Sequence, residues 1–135
     1  MDFKTLENQP LHTELPLGEL LARVKWNDAG LIPAIAQQAT TGEVLMLAWM
    51  NEQSLRESLE TQQVCYWSRS RQSYWRKGES SGHRQRLVEA FLDCDGDAIL
   101  LKVDQSGPAC HTNRPGCFYI ALSRNTGRIV TEPEE

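Results

Sequence analysis

The chain has 135 residues, with 14 Lys and Arg against 18 Asp and Glu, so its formal charge is −4. This length fits one domain around a single core, and the acidic balance argues against a general nucleic-acid binder. The longest apolar run, Val44–Met50, has seven residues, far fewer than the ~18 of a membrane-spanning helix. Residues 1–4 lack the basic and apolar regions of a secretory signal. We therefore expect a cytoplasmic single domain over 1–135, with no nucleic-acid or membrane partner.

The N-terminal part of the chain predicts two helices and a hairpin. Residues 1–26 form an arm that leads into a short amphipathic helix. Its apolar residues recur at steps of three and four: Leu17, Leu20, Leu21 and Val24. The apolar segments 31–39 and 43–49 flank a Thr-Thr-Gly sequence, which predicts a β-hairpin. Asn51 is a suitable N-cap for a second helix over 52–61.

From residue 63 onward the pattern favours strands. Residues 87–93 alternate, which predicts one face with Leu87 and Phe91 and an opposite face with Ala90 and Leu92. Further strands are predicted at 63–70, 98–103, 117–122 and 128–130. The connections are too tight for βαβ crossovers. The prediction is an α+β, β-rich fold: a mostly antiparallel sheet of about six or seven strands with two short helices. The core spans 31–119, and the tail over 124–135 is expected to fray at its acidic end.

The acidic segment 93–97 lies between two predicted strands. In an extended chain, Asp93, Asp95 and Asp97 would share one face and Cys94 would point the other way. Three carboxylates so close together repel one another unless a cation lies among them, and Mg²⁺ prefers oxygen ligands. The alternative is a solvated acidic turn. An EF-hand is excluded, because its loop needs Gly at position 6 and Glu at position 12, and neither is present.

Four cysteines, at 65, 94, 110 and 117, are expected to be thiols rather than disulfides in a chain without a secretory signal. Cys110 and Cys117 bracket a loop with two prolines and two glycines between 107 and 117, which could hold two thiolates at one metal ion. Their spacing is wider than that of a zinc finger. With Cys94 as a third ligand the set would match a catalytic zinc site, and His111 could then move protons at the bound water. The alternative is that these cysteines are small core residues.

Basic and aromatic residues concentrate in the middle of the chain. Residues 69–86, here called the basic segment, hold six cationic side chains and one acidic side chain, Glu79. Arginine forks and serine hydroxyls bind phosphate oxygens, and Trp67, Tyr74 and Trp75 could stack on a purine. The alternative is a charged strand face above core tryptophans. A polynucleotide groove would need a longer basic surface.

Several motifs resemble one known family in order and spacing. They are LIPAIAQ at 31–37, VLMLAWMN at 44–51, YWSRSR at 66–71, WRKG at 75–78, SGH at 81–83, DCDGD at 93–97, ACHT at 109–112 and CFY at 117–119. This set resembles the phosphoribosyl-AMP cyclohydrolases of histidine biosynthesis. The resemblance implies that a zinc-activated water opens the purine ring of N1-(5-phosphoribosyl)-AMP between N1 and C6.

The resemblance also implies the metals and the assembly. It implies an obligate homodimer in which zinc is held by Cys110 and Cys117 of one chain and Cys94 of the other. Mg²⁺ is expected at the carboxylates Asp93, Asp95 and Asp97. His111 is the expected proton-transfer residue and His83 the second candidate. The residues expected to bind the substrate and its two phosphates are Trp67, Arg69, Arg71, Arg76, Lys77, Ser80 and Ser81.

Two other classes of protein share part of this chemistry. Zinc nucleobase deaminases also attack a purine at C6, but they carry H-x-E followed by P-C-x-x-C, and this chain has neither. A structural zinc module that binds nucleotides or RNA without turnover remains open at this point.

Overall fold

The computed structural model describes residues 2–134, in which there are three helices and eight strands. The helices are α1 (Phe3–Leu6), α2 (Leu17–Leu21) and α3 (Glu52–Thr61). The strands are β1 (Ile32–Gln38), β2 (Val44–Met50), β3 (Cys65–Ser68), β4 (Ser73–Arg76), β5 (Gln85–Leu92), β6 (Ile99–Gln105), β7 (Ile120–Leu122) and β8 (Gly127–Ile129). The predicted β-rich α+β class is confirmed. The extra helix, α1, has only four residues, too few for periodicity to mark it. No helix in residues 2–134 is long and apolar enough to cross a membrane.

Six strands form one sheet in the order β4-β3-β2-β1-β6-β5, and β7 and β8 form a separate hairpin. Every pairing is antiparallel except that of β1 with β6, which is parallel. The prediction of a mostly antiparallel sheet is therefore confirmed. Because β1 and β6 lie side by side at the centre, the N-terminal hairpin and the late β5–β6 pair belong to one continuous sheet.

Local sequence explains the hairpin and the helix beside it. Gly42 takes a φ of +80° at the turn between β1 and β2, a conformation that glycine adopts without steric cost. Asn51 caps α3: its side chain accepts a hydrogen bond from the backbone N–H of Ser54 (2.8 Å), and Ser54 Oγ accepts one from the N–H of Asn51 (3.0 Å). This reciprocal arrangement satisfies two helix-terminal donors. The helix ends at Thr61, as predicted.

The core lies between the sheet and the helices α2 and α3. Leu21 and Leu55 from these helices pack with β1 and β2 side chains such as Ile32 and Met50. Tyr66 is fully buried, and its hydroxyl donates a hydrogen bond to Gln85 Oε1 at 2.7 Å. A buried hydroxyl needs such a partner, so this pair ties β3 to β5 inside the core.

Two predicted alternation patterns are wrong, and both fail for a backbone reason. In β5 the register shifts between Leu87 and Glu89, so the strand contains a bulge. Because a bulge inserts an unpaired residue, Ala90 and Leu92 pack against the core on the same side as Leu87, whereas Phe91 is 44% exposed. The acidic segment 93–97 is a turn rather than an extended chain, with Gly96 N–H donating to Asp93 O (3.1 Å). Period-two alternation therefore does not apply to it.

The two ends of the described chain both pack on loops. The Phe3 ring of α1 lies directly against Gly96 in the acidic turn. At the other end, residues 131–134 lie against the loop between Cys110 and Cys117, where Glu134 N–H donates to Asn113 O at 2.8 Å. Residues 131–134 therefore have contacts with the cysteine loop, whereas fraying of the tail stays a prediction, and Glu135 lies outside the described residues.

Candidate active site

A cleft of about 540 Å³ lies between β4 with the turn that follows it and the cysteine loop, residues 107–117. Nine of the residues predicted from the sequence line this cleft: Arg71, Arg76, Lys77, Ser80, Ser81, His83, Cys110, His111 and Cys117. Six others lie outside its lining: Trp67, Arg69, Asp93, Cys94, Asp95 and Asp97. The fold therefore brings two cysteines, two histidines and part of the basic segment into one cavity.

The cysteine loop is tied to the body of the protein at both ends. The backbone N–H of Cys117 donates to Leu45 O of β2 at 2.6 Å. At the start of the loop, Lys77 Nζ donates to Ala109 O, also at 2.6 Å. Inside the loop, Cys110 N–H donates to Arg114 O at 3.2 Å and closes a narrow turn. These contacts hold the two cysteines at the same place although six residues separate them.

Cys110 and Cys117 lie close enough that each affects the ionisation of the other. Burial alone would raise the pKa of Cys110, but the hydrogen bond from Thr112 and the neighbouring Cys117 outweigh it and leave that pKa below its ordinary value. The Thr112 hydroxyl lies 3.0 Å from Cys110 Sγ. Burial and the neighbouring Cys110 raise the pKa of Cys117 to about 11. Two neighbouring thiols, one of them with a lowered pKa, could supply two of the ligands of a zinc site, because zinc binds thiolates.

Lys77 is a cation that is bonded to the start of the cysteine loop through Ala109 O. Its ammonium group lies 5.1 Å from the centre of the Trp75 ring, a cation–π distance. Burial lowers the pKa of Lys77, although the Cys117 and Cys110 side chains favour its charged form. A half-buried lysine beside two thiols supplies positive charge to the wall of the cleft that would face an anion.

The two histidines line the cleft from different loops. His83 follows the β4 turn, and its ring packs on Gly107, where an added Cβ would lie 2.5 Å from His83 Cδ2. Gly107 also has a φ of +72°, so both space and backbone geometry require glycine there. His111 follows Cys110 and is exposed. Both rings can therefore reach a ligand in the cleft.

The aromatic and arginine residues divide between the cleft and the surface beside it. Tyr74 and Trp75 line the cleft, and Trp67 packs edge-on against Tyr74 with ring centres 5.0 Å apart. Arg69 lies over the Trp49 ring at 4.6 Å. Trp67 and Arg69 therefore lie outside the cleft lining of this chain. Their predicted contact with substrate stays a prediction.

Arg76 is already engaged by a carboxylate. Its Nε and Nη2 atoms lie 2.9 Å and 2.8 Å from the two carboxylate oxygens of Glu57 in α3. The hydrogen bond from Arg76 lowers the pKa of Glu57. Such a two-bond pair fixes the arginine plane, so Arg76 reaches the cleft with part of its guanidinium occupied.

The lining also includes residues that the sequence patterns did not mark as functional, among them Met46, Glu79 and Asn113. Glu79 carried a signal, since it is the single acid of the basic segment. Met46 lies in an apolar strand, and an apolar sequence does not distinguish a cleft residue from a core residue. Asn113 lies in the loop between the cysteines, and its sequence context does not distinguish a cleft residue from a turn residue.

The acidic turn, residues 93–97, lies apart from the cleft and is exposed around Cys94. Asp97 N–H donates to Asp93 Oδ1 at 3.0 Å, and this bond leads the contacts that lower the pKa of Asp93. The hydrogen bond with Asp93 raises the pKa of Asp97. Within residues 2–134 of one chain, no three His, Cys, Asp or Glu side chains come close enough to hold one metal ion.

The cleft thus combines paired thiols with cationic and aromatic side chains on a β-rich scaffold, which suits a metal-dependent protein that takes an anionic, aromatic ligand. Comparison with known proteins makes this specific. The sequence profile of the family described as phosphoribosyl-AMP cyclohydrolase matches residues 46–119. The chain belongs to that family.

Similar proteins agree along nearly the whole chain. A protein of Pseudomonas fluorescens named phosphoribosyl-AMP cyclohydrolase 2 is 61% identical over 95% of this chain and 87% of its own length. A phosphoribosyl-AMP cyclohydrolase of Chromohalobacter salexigens is 60% identical over 97% of this chain and 90% of its own length. A phosphoribosyl-AMP cyclohydrolase of Alkalilimnicola ehrlichii is 58% identical over 98% of this chain and 93% of its own length. The similarity therefore includes both ends of the chain, beyond the residues that the family profile matches.

Proposed function

We propose that this chain hydrolyses the purine ring of N1-(5-phosphoribosyl)-AMP between N1 and C6, the ring-opening step of histidine biosynthesis. The observation that carries the proposal is the cleft in which Cys110, Cys117 and His111 face Lys77 and Trp75. The family to which the chain belongs and the names of its relatives specify the reaction.

The substrate offers a purine and two phosphates, and the cleft has groups for each. Tyr74 and Trp75 present aromatic surface on which a purine can stack. Arg71 and Lys77 supply positive charge, and the Ser80 and Ser81 hydroxyls supply hydrogen-bond donors for phosphate oxygens. The sign and chemistry of the cleft therefore suit a nucleotide carrying a second phosphoribosyl group.

The paired thiols fit zinc. Cys110 and Cys117 would hold the ion, with Cys94 of a second copy of the chain as a third ligand. When bound, zinc would lower the pKa of a water molecule to near 7 and supply the nucleophile for C6. Lys77 holds the loop that carries both thiols by its bond to Ala109 O.

Ring opening requires proton transfer as well as a nucleophile. Water adds to C6, the C6–N1 bond breaks, and a proton derived from the water must reach N1. His111 is exposed in the cleft beside Cys110 and is the group proposed to move this proton. His83, packed on Gly107, is proposed to orient the substrate or to serve as the second proton carrier.

A homodimer is part of the proposal. Cys94 is exposed and lies outside the cleft of its own chain, so a second copy is needed to bring it to the thiol pair. The β7–β8 hairpin presents Ile120, Leu122 and Ile129 to solvent, Leu122 with 85% of its surface exposed. An isolated two-stranded hairpin has little stability of its own, which supports burial of this hairpin by a partner chain.

Mg²⁺ is proposed at the acidic turn. Asp93, Asp95 and Asp97 lie in one exposed turn, and Asp97 has a raised pKa because it bonds to and is repelled by Asp93. A hard divalent cation would relieve that repulsion and takes oxygen ligands. Because no three such side chains converge within residues 2–134 of one chain, the ion would need further oxygen ligands from water or from a second copy.

The decisive experiment is a turnover assay with purified, zinc-loaded protein. Opening of the purine ring changes the ultraviolet absorbance of N1-(5-phosphoribosyl)-AMP, so product formation can be followed directly. We expect turnover by the unaltered chain and none by Cys110→Ser. Tight zinc binding without any turnover would contradict the proposal and favour a structural zinc module.

A further inference from the structure

The path of the chain after the cysteine loop brings its C-terminal end back to that loop. Beyond Tyr119 the chain runs outward along β7, turns at residues 123–126 and returns along β8. Val130 N–H then donates to Tyr119 O at 3.0 Å. Because β8 runs antiparallel to β7, the end of β8 lies beside the start of β7. Residues 131–134 therefore lie beside the tip of the cysteine loop.

Three hydrogen bonds then join this segment to the loop. Glu134 N–H donates to Asn113 O at 2.8 Å, and the Asn113 side-chain amide donates to Glu134 O. Arg114 Nε donates to Thr131 O at 2.7 Å. The Arg114 guanidinium also lies 3.9 Å from the centre of the Tyr119 ring. The segment is therefore hydrogen-bonded to Asn113 and Arg114, the two residues at the loop tip between Cys110 and Cys117.

The loop tip is closed by local backbone bonds, from Asn113 N–H to Cys110 O (3.0 Å) and from Cys110 N–H to Arg114 O (3.2 Å). Its two ends are fixed through Ala109 and Cys117, and Asn113 at the tip has a φ of +67°, a left-handed conformation that asparagine adopts more readily than most residues other than glycine. The reciprocal pair of hydrogen bonds between Asn113 and Glu134 joins the tip to a segment outside the loop. Without it, the tip would sample more conformations and so would the spacing of the thiols beneath it.

We infer that residues 131–134 form a C-terminal strap that positions the cysteine loop and so preorganises the Cys110–Cys117 pair for zinc. The inference rests on the proposed zinc site for its consequence, whereas the ordering of the loop is a property of the metal-free chain. Thr131 and Glu134 act through backbone groups, so the strap works by its path and not by its acidic charge.

The test compares the full chain with a chain that ends at Val130, a point that keeps the Val130–Tyr119 bond. Zinc affinity is measured by competition with a chromogenic chelator, and backbone hydrogen exchange of the cysteine loop is measured in the metal-free protein. We expect the shortened chain to bind zinc about tenfold more weakly, the size of effect seen when groups that orient metal ligands are removed. Its loop amides should exchange faster.

Two point variants separate the backbone path of the strap from its charge. Glu134→Gln removes charge but keeps the backbone contact, and it should leave zinc affinity and loop exchange unchanged. Asn113→Gly tolerates the positive φ but removes the side-chain donor, and it should reproduce part of the effect of shortening. Added to the shortened chain, it should cause little further loss, because both changes break the same contact.

Specific results would overturn the inference. Unchanged loop exchange in the shortened chain would do so, as would a full additive loss when Asn113→Gly is combined with it. An effect of Glu134→Gln as large as that of shortening would assign the role to charge. If the full chain bound no zinc, the proposed metal site would fail, whereas loop exchange would still decide whether the strap exists.

Discussion

The Cys110–Cys117 pair has a testable order of ionisation in the metal-free protein. The hydrogen bond from Thr112 and the neighbouring Cys117 lower the pKa of Cys110, whereas the pKa of Cys117 is raised to about 11 and that of buried Cys65 to about 12. Because a thiolate is the nucleophile, Cys110 gains reactivity at a lower pH than the other two.

Because Cys110 is buried and Cys117 is exposed, the test compares the pH at which each thiol begins to react rather than the amounts modified. We expect the reaction of Cys110 with iodoacetamide to begin at a lower pH than that of Cys117 and Cys65, as read by mass spectrometry of the peptides over a series of pH values. Raising the pH towards 11 should increase the modification of Cys117. Zinc should protect both members of the pair while Cys65 remains unmodified throughout. A reaction of Cys117 that begins at a lower pH than that of Cys110 would contradict the described order of ionisation.

His111 is the residue whose removal should affect chemistry most specifically. His111→Ala is expected to lower kcat by about 10²–10⁴-fold, the usual contribution of a positioned acid or base, and to leave zinc affinity close to that of the unaltered chain. His12→Ala, in the exposed N-terminal arm, is the matched control and should have no effect. A His111→Ala variant that kept full turnover would remove His111 from the mechanism, and His83→Ala would then be examined in the same assay.

At the scale of elements, α1 holds the acidic turn through one tight contact. A Cβ placed on Gly96 would lie 2.2 Å from the Phe3 ring, and Gly96 has a φ of +71°. Gly96→Ala is therefore expected to lower the free energy of unfolding by about 2–3 kcal/mol, from steric conflict plus backbone strain. The measurement is denaturant unfolding.

A second glycine separates the two causes. Gly30 has nearly the same φ, +77°, but nothing lies within 4 Å of an added Cβ. Gly30→Ala should therefore show the backbone cost alone, about 1 kcal/mol. Combining Gly96→Ala with Phe3→Ala should remove the steric part. If Gly96→Ala were no more destabilising than Gly30→Ala, the packing of α1 on the turn would be refuted.

Elements with strong local signals could be predicted from the sequence. The limits of α3 and its Asn51 cap follow from the cap chemistry and the apolar spacing, and the β1–β2 hairpin follows from Gly42. The bulge in β5 could not be predicted, because Val88 fits an alternating pattern as well as its neighbours do. The curvature of the acidic turn depends on contacts with residues distant in sequence, including the bond from Lys25 N–H to Gly96 O.

The candidate site was predictable by residue type more than by position. Thiols, histidines and phosphate-binding side chains were recognisable, and nine of them share the cleft. Trp67 and Arg69 lie outside the cleft lining because strand pairing decides which side chains border the cleft: Trp67 pairs with both Trp49 and Tyr74 inside the sheet. Their contact with substrate stays a prediction. The strap was missed because Thr131 and Glu134 bond through their backbone groups, which leave no trace in residue identity.

At the scale of the whole molecule, a shared zinc site makes a quantitative prediction about mixed dimers. A chain with Cys94→Ser and a chain with Cys110→Ser are each expected to be inactive alone. In a mixed dimer one site loses two of its three ligands, Cys94 and Cys110, and the other site keeps all three. This follows because, at a two-fold interface, each chain gives its Cys94 to the site of the other chain. Random mixing should restore about a quarter of the full activity, since half of the dimers are mixed and each has one intact site of two.

The matched control mixes Cys110→Ser with Cys117→Ser, which both alter the same side of the site and should not complement each other. Activity is measured after the two chains are unfolded together and refolded, and the fraction of mixed dimers is read by native mass spectrometry. Mixed dimers without activity would show that the three cysteines do not act across an interface.

The parallel pairing of β1 with β6 has a consequence for the order in which the molecule can be built. Ala34 pairs with Ile99, so the centre of the sheet cannot close while the ribosome has made only β1 to β4. Closing so long a loop carries an entropic cost that local hairpins avoid. The cysteine loop follows β6 directly and the strap follows the loop, so the half of the cleft that carries the cysteines is the last part to form. A nascent chain would thus hold the basic wall of the cleft, proposed to bind phosphate, before it has the thiols proposed to bind zinc.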